Sequence, residues 1–416
     1  MLAAVANTSA GLHDDLRKTD KSADLLANPR LFRPPSSPLT DDKEKDGGQT
    51  RAACVQDYSP CSCSVQLDNQ FSVLCQDISV ETVRDVFQRV NDPEIFQLEL
   101  FQLGGDTNTF FLPPDILGNT TVTSYILIDC IGLSGNSNPN LVIDPSAFRL
   151  SQNSLAKFTV RYCDFGLQKD LNFLSGFNKL EELRFYAANN FSVFQYLPTL
   201  PSLQYLDVTS CRGLEQIAFP DLSPAKLKAF SFDFNKISDQ TADEIVANLV
   251  ASNSAESLEF LSLMDNSLTR IPSQVGSVFP QLKTAHIGAN NISYIPSSSV
   301  TIAYPLESLY LGTNGLKTIE SGAFQGKATS ARAIILFFGL KKNRIIIRIL
   351  LVSIIGNFTM TYVTLSSNQF TVFEEGVFKE MLQQMVSVKP PIGLVQIGGS
   401  IFLRIRHIWK FLIGIL

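Results

Sequence analysis

The chain has 416 residues, 45% of them hydrophobic and 18% charged, with a formal net charge of −5. That length and apolar content support a large core, either as two or three ordinary domains or as one extended repeat array. The acidic balance argues against a nucleic-acid binder, whose binding face carries a basic surplus. The charge is unevenly placed: 327–356 hold six Lys/Arg and 386–416 hold four, with no acid in either, so the remainder carries about −15.

In chain order, 1–53 is predicted to be a disordered leader. Residues 11–53 are rich in Asp, Lys, Pro, Ser and Gly, and Met1–Ala10 has neither the basic start nor the apolar core of a secretory signal. Next come Cys54, Cys61, Cys63 and Cys75, four of the seven cysteines. So dense a cluster reads as a disulfide-stapled cap over 54–94, and hence as a product of an oxidising compartment. Zinc is the other reading of clustered cysteines. Against it, Cys61-Ser62-Cys63 is tighter than a C-x₂-C knuckle and no histidine lies near. The staples point to secretion, the start of the chain does not, and the staples carry more weight. The expectation is a secreted protein whose true start lies elsewhere.

From 95 to 385 the pattern L-x-x-L-x-L-x-x-N-x-L recurs. It fits Leu258, Leu261, Leu263, Asn266 and Leu268, then Leu282, Ala285, Ile287, Asn290 and Ile292, then Leu306, Leu309, Leu311, Asn314 and Leu316. An earlier copy runs through Leu227, Phe230, Phe232, Asn235 and Ile237, and a late one through Met360, Val363, Leu365, Asn368 and Phe370. Upstream, cysteine takes the Asn position: Leu155, Phe158, Val160, Cys163; Leu203, Leu206, Val208, Cys211; and Val122, Tyr125, Leu127, Cys130. With looser copies at Leu180 and near Ile95 there are about ten. The middle of each alternates with period two, so it is a strand whose apolar residues point inward. The buried Asn is expected to cap backbone groups of the adjacent turn. Cys130, Cys163 and Cys211 are expected to be small buried fillers, with a further disulfide or a reactive thiol as alternatives. Convex segments vary. Ala147-Phe148, Ala323-Phe324 and Val377-Phe378 look like aromatic plugs, and Ile271-Pro272 and Ile295-Pro296 like extended turns. The spacing of Ala242, Ile245, Val246, Leu249 and Val250 predicts one helix capped by Ser238.

These residues predict an α/β leucine-rich-repeat solenoid: a curved parallel sheet on the concave face, an irregular or short-helical convex face and a stapled N-terminal cap. The run Cys54-x₆-Cys61-x-Cys63-x₁₁-Cys75 followed by these repeats resembles the cysteine-rich flank of extracellular leucine-rich-repeat proteins. Asp57-Tyr58-Ser59-Pro60-Cys61-Ser62-Cys63 with Val86-Phe87 is similar to secreted arthropod members, such as the larger, non-catalytic subunit of a deep-sea shrimp luciferase. The resemblance implies Cys54–Cys63 and Cys61–Cys75 bonds, a protein partner, and catalysis residing elsewhere. Members often end in a cysteine-rich C-terminal cap. No cysteine follows Cys211 here, so that cap is expected to be absent.

Two stretches break the pattern. Repeat asparagines lie 24 residues apart from Asn266 to Asn290 and from Asn290 to Asn314, then 54 apart to Asn368. Removing the 30 residues 327–356 restores 24. Gly326-Lys327 and Val386-Ser387 can both be encoded by the sequence that begins most introns. The hypothesis is that 327–356 and 386–416 are intron translated in frame, and a mature transcript that keeps both contradicts it. The rival is a membrane anchor, yet Arg404, Arg406, His407 and Lys410 interrupt Ile392–Leu416, and Ile345–Gly356 is short and carries Arg348.

No catalytic constellation is visible. The three histidines are His13, His286 and His407, and no nucleophile elbow, phosphate-binding loop, metal motif or cofactor motif occurs. His286 is expected to be a surface histidine, and Glu181-Glu182 a solvated face. Binding is better supported, because the outward positions of successive strands form columns about 5 Å apart. One is Thr159, Arg184, Asp207, Ser231, Ser262, His286, Tyr310 and Thr364; the other is Lys157, Glu182, Tyr205, Ala229, Phe260, Thr284, Ser308 and Tyr362. Tyr205, Phe260, Tyr310 and Tyr362 are the residue types that anchor protein interfaces, with Arg184, Asp207 and His286 among them. Sequons stand at Asn119, Asn190, Asn291 and Asn357, with another at Asn7. The expected function is non-catalytic protein binding outside the cell, in one form as a subunit of an oxidase-like complex. The alternative is a cell-surface adhesion or immune-recognition ectodomain with a C-terminal anchor.

Overall fold

The computed structural model describes 54–314 except 55, 66–69, 91–92, 104–108, 132–138, 216, 305 and 307, and the strand segments 318–319, 324–326, 362–364 and 394–396. Contacts divide the chain into Met1–Arg51 and Ala52–Leu416, and every described residue lies in the second unit. The expectations for the leader, for 327–356, for Asn7, Asn357 and Asn368, and for the Phe378 plug lie outside the described residues.

In chain order the strands are β1 (Ser62–Val65), β2 (Phe71–Gln76), β3 (Glu94–Phe101), β4 (Thr109–Leu112), β5 (Thr121–Asp129), β6 (Asn140–Ile143), β7 (Lys157–Arg161) and β8 (Glu182–Tyr186). There follow β9 (Tyr205–Thr209), β10 (Ala229–Ser231), β11 (Phe260–Ser262), β12 (Thr284–His286), β13 (Tyr294–Ile295), β14 (Val300–Ile302) and β15 (Ser308–Tyr310). Eleven of them form one sheet in the order β1-β2-β3-β5-β7-β8-β9-β10-β11-β12-β15. Only β1 and β2 run antiparallel; every later pairing in that sheet is parallel. The chain is a leucine-rich-repeat solenoid with a disulfide-stapled N-terminal cap.

Alternation explains the core. Phe158 and Val160, Leu183 and Phe185, Leu206 and Val208, and Leu261 and Leu263 are all fully buried. Between the sheet and the convex side runs a chain of rings. Phe165, Phe185, Phe191, Phe194 and Phe232 follow one another with centroids 4.5–6.0 Å apart, linking three repeats through edge and tilted contacts. Phe148 is buried as the plug reading expected. The expected convex helix is α2 (Asp239–Ala251), and Ser238 Oγ accepts from Thr241 N at 3.3 Å. A helix not read from the sequence, α1 (Val80–Arg89), buries Val80, Val83, Val86 and Phe87 under the cap, with Ser79 Oγ accepting from Thr82 N at 3.1 Å.

Asparagine forms a ladder inside the later turns. Asn235 Oδ1 accepts from Cys211 N at 2.8 Å, and its Nδ2 donates to Val208 O at 2.7 Å. Asn266, Asn290 and Asn314 repeat the arrangement rung by rung. The residue before each rung, Phe234, Asp265, Ala289 or Thr313, takes a left-handed backbone with φ between 52° and 60°. Tyr162, Ala187 and Ser210 do the same upstream. There the turns are satisfied differently: Asn140, Asp164 and Asn189 pair by main-chain bridges, so no side-chain amide is needed.

The cap bonds Cys54–Cys63 and Cys61–Cys75 match the pairing that the resemblance implied. Cys130 and Cys163 are not fillers. They form a third disulfide between neighbouring turns, with Cα atoms 5.0 Å apart. Cys211 is buried and free. Ala188, which holds the turn position of the intervening repeat, separates it from Cys163.

Two further expectations are corrected. Tyr125 and Leu127 do not point into the core. Ile95 pairs with Val122 but Gln97 pairs with Tyr125, so β5 carries one extra residue, and such a bulge reverses the alternation beyond it. Ile126 and Ile128 therefore enter the core, while Tyr125, Leu127 and Asp129 lie on the concave face. Among the described residues the strand Tyr362–Thr364 is not in the eleven-stranded sheet, and it pairs in parallel with Leu394–Gln396. Among those residues the concave columns run as far as Ser308 and Tyr310.

Candidate functional site

Backbone register brings the predicted columns together. Lys157, Glu182, Tyr205, Ala229, Phe260, Thr284 and Ser308 are successive partners, and so are Thr159, Arg184, Asp207, Ser231, Ser262, His286 and Tyr310. The bulge in β5 extends both columns to residues that sequence reasoning missed. Gln97 and Tyr125 precede Lys157, and Glu99 and Leu127 precede Thr159. A third column of Phe101, Asp129, Arg161, Tyr186 and Thr209 lies beside them. The signal that could have found it is the same alternation carried one step further along each strand.

The face has two chemically distinct parts. Toward the cap it is charged. Arg161 Nη2 lies 2.7 Å from Asp129 Oδ2, and its guanidinium sits 5.8 Å from the centre of the Phe101 ring. Lys157 Nζ lies 3.2 Å from Glu182, which also pairs with Arg184. Burial pushes the Glu99 and Asp129 carboxyls up, and the Tyr125 hydroxyl up to about 12. Asp207 rises to about 6, mainly through burial, although Thr209 Oγ1 donates to it at 2.6 Å and Arg184 lies near. Asp233, just past β10, rises to about 7 through burial. It accepts from Ser231 Oγ at 3.0 Å, Ser262 Oγ at 2.7 Å and Met264 N at 2.7 Å, and so ties the β10 turn to β11.

Toward the other end the face is aromatic. His286 faces away from the core as expected, but it is not a solvated imidazole. Phe260 packs edge-on to it at 5.2 Å and Tyr310 lies tilted at 5.5 Å. Burial lowers its pKa to about 4, and its Nε2 has no hydrogen-bond partner among the described residues. Gly288 permits this packing, because a Cβ there would sit 2.3 Å from the Tyr310 ring. An imidazole sandwiched between two rings, with no acid paired to it among the described residues, has the character of a packing group.

These shifts make a pH prediction. Asp207 and Asp233 have raised folded pKa values, so the stability they allow is fully present below the ordinary 3.8 and lost as pH rises through about 6 to 7. His286 is lowered, so its contribution is present above 6.5 and lost as pH falls toward about 4. The two trends oppose each other. In Asp233→Asn the first is weakened, and stability at pH 7 relative to pH 4.5 should improve over wild type by on the order of 2 kcal/mol, after allowance for screening. Urea midpoints at the two pH values measure this, and parallel profiles for variant and wild type contradict it.

Asn119 and Asn291 are exposed. Asn190 is also exposed, but its Nδ2 donates to both carboxylate oxygens of Asp164, at 2.8 and 3.0 Å. Among the described residues no group of three or more His, Cys, Asp or Glu side chains is placed to hold a metal ion. No described helix is long and apolar enough to cross a membrane.

No protein-family profile and no curated protein matches the chain. Solved structures do. A chain of the Drosophila Toll–Spatzle complex is similar over 82% of this chain and 48% of its own length, at 13% identity and a TM-score of 0.47. Human trophoblast glycoprotein is similar over 67% of this chain and 79% of its own, at 18% identity and a TM-score of 0.27. A leucine-rich-repeat protein of Leptospira interrogans covers 78% of this chain and 89% of its own, at 13% identity and a TM-score of 0.26. The chain spans about half the length of the Drosophila protein.

Proposed function

We propose that the chain is a non-catalytic extracellular binding protein whose concave sheet takes a protein partner. The observation that carries this is the continuous register of concave-side residues from Tyr125 on β5 to Tyr310 on β15, with Tyr205, Phe260 and Tyr310 on it. A sheet held on its other face by a packed core keeps such rings in place before a partner arrives, so little ordering entropy is lost on binding. Arg184 and Asp207 add polar selectivity beside them, and His286 buttresses the two rings on either side of it. Three disulfides support an oxidising compartment, which fits secretion. Asn119 and Asn291 are the sequons we assign to glycans, and Asn190 the one whose amide is already engaged. Membership of an oxidase-like complex, as the non-catalytic subunit, is supported by the likeness of the cap alone.

The test is capture of binding proteins from extracellular fluid on immobilised protein, with Phe260→Ala/Tyr310→Ala as the comparison. Loss of a specific partner from the double variant, at unchanged circular dichroism, is the expected result. About 2 kcal/mol or more, or thirtyfold in affinity, is what two central aromatics contribute. Equal capture by both proteins defeats the concave-face reading.

A further inference from the structure

The aromatic end of the concave sheet holds one polar group that packing alone does not call for. His286 on β12 lies between Phe260 of β11 and Tyr310 of β15, with ring centroids at 5.2 and 5.5 Å. The Tyr310 ring lies down across β12, since a Cβ on Gly288 would meet it at 2.3 Å. Both rings therefore rest on the imidazole, and their positions depend on it. Within this stack Nε2 is closed to solvent and has no hydrogen-bond partner among the described residues. An apolar ring would fill the place without leaving a nitrogen unsatisfied, so the imidazole costs the resting structure stability. What the imidazole alone supplies is a charge that appears with acid.

The surroundings do not favour that charge. Phe260 and Ser262 face His286 from β11 and Tyr310 faces it from β15, while Thr284 and Gly288 flank it on its own strand. The described charged groups of these elements are few. Asp233 accepts from the Ser262 hydroxyl at 2.7 Å, and the Asp265 amide donates to Gly288 O at 3.0 Å. Glu259 and Lys283 pair with each other at 2.5 Å. None of them offsets burial, which lowers the His286 pKa to about 4. The stack is thus stable above the ordinary 6.5 and is lost as pH falls toward about 4. Protonation favours an arrangement in which the imidazolium reaches water and the rings no longer enclose it.

We propose that His286 is an acid-operated release built into the binding face: its protonation drives Phe260 and Tyr310 apart and dismantles the aromatic part of the partner's footprint. The proposal rests on the concave-face reading and adds its regulation. A partner held near neutral pH is then set free in an acidic compartment.

Hydroxyl-radical footprinting of the folded full chain, from about pH 7 to about pH 3.5 and read by mass spectrometry, tests it. Oxidation of Phe260 and Tyr310 should rise severalfold with a midpoint near pH 4. Phe158, fully buried in the core, should stay level, and far-ultraviolet circular dichroism should not change. The rise should persist in Asp233→Asn. It should disappear in His286→Phe and in His286→Gln, neither of which takes up a proton. A level response in the wild type, a rise shared by Phe158, or a rise that survives the His286 substitutions would overturn the proposal. Loss of the rise in Asp233→Asn would assign it to the carboxylate and overturn the proposal as well. The two readings fail separately. A partner lost in Phe260→Ala/Tyr310→Ala, with rings that stay level in acid, keeps the binding face and removes the release. A partner retained by the double variant removes the face itself, whatever the rings do.

Discussion

Asn266→Ala is expected to lower the free energy of unfolding by on the order of 4 kcal/mol. The Asn266 Oδ1 accepts from Asn235 N at 3.0 Å and Ile237 N at 3.2 Å, and its Nδ2 donates to Phe232 O at 2.8 Å and Met264 O at 3.2 Å. Alanine leaves Asn235 N, Ile237 N and Phe232 O without partners in a buried layer, while Met264 O keeps the Phe234 N–H at 2.9 Å. Each such group costs about 1–3 kcal/mol, and partial relaxation keeps the total below their sum. Asn291→Ala, an exposed substitution near the next rung, should change stability by less than about 0.5 kcal/mol. Denaturant unfolding of both variants is the measurement. A loss below about 1 kcal/mol at Asn266 would show that water replaces the amide and that the ladder is not a major source of stability.

The Cys130–Cys163 bond carries the second large effect. Its sequence separation of 33 residues sets the entropy that the bond removes from the unfolded chain. That corresponds to roughly 3–4 kcal/mol, less any strain in the folded state. The variant Cys130→Ala/Cys163→Ala should lose about that much, and Cys211→Ala far less, since Cys211 crosslinks nothing. Thiol titration of the denatured, unreduced protein supplies the direct check. Seven cysteines in three bonds leave one reactive thiol, that of Cys211. A count of three would mean that Cys130 and Cys163 are unbonded.

The bond replaces a ladder rung covalently, and this bears on why the early repeats diverge from the later ones. Where asparagine is absent, the turns hold together by Asn140–Asp164–Asn189 main-chain bridges and by the disulfide. Where asparagine is present, its amide makes both connections. The transition falls at Cys211, whose backbone amide donates to the first asparagine, Asn235. Either arrangement meets the same demand, that buried N–H and C=O groups find partners. The sequence pattern weakens toward the cap because main-chain bridges constrain residue identity less than a side-chain ladder does.

The concave face was legible for the same reason that the core was. Period-two alternation assigns the two faces of a strand together, so finding Leu261 and Leu263 in the core places Phe260 and Ser262 on the concave side, although Ser262 is itself buried there. It failed at β5, where one extra residue reverses the phase and hides Tyr125 and Asp129. It also could not weigh His286, because position on a strand says nothing about the rings on the strands to either side. Asp233 escaped notice because it lies just past β10, where column reasoning stops.

By itself, then, the sequence determined the repeat, the parallel sheet, the asparagine rungs, the capped convex helix and the columns of the face. All of these follow from periodicity within one repeat and from residues that must be buried wherever the repeat is placed. Only the tertiary structure decided the phase of β5, the partner of Cys130, the burial of His286, the raised carboxyl pKa values of Asp207 and Asp233, and the pairing of Tyr362–Thr364 with Leu394–Gln396. Each of these depends on what lies across from a residue in another part of the chain, and local spacing carries no information about that neighbour.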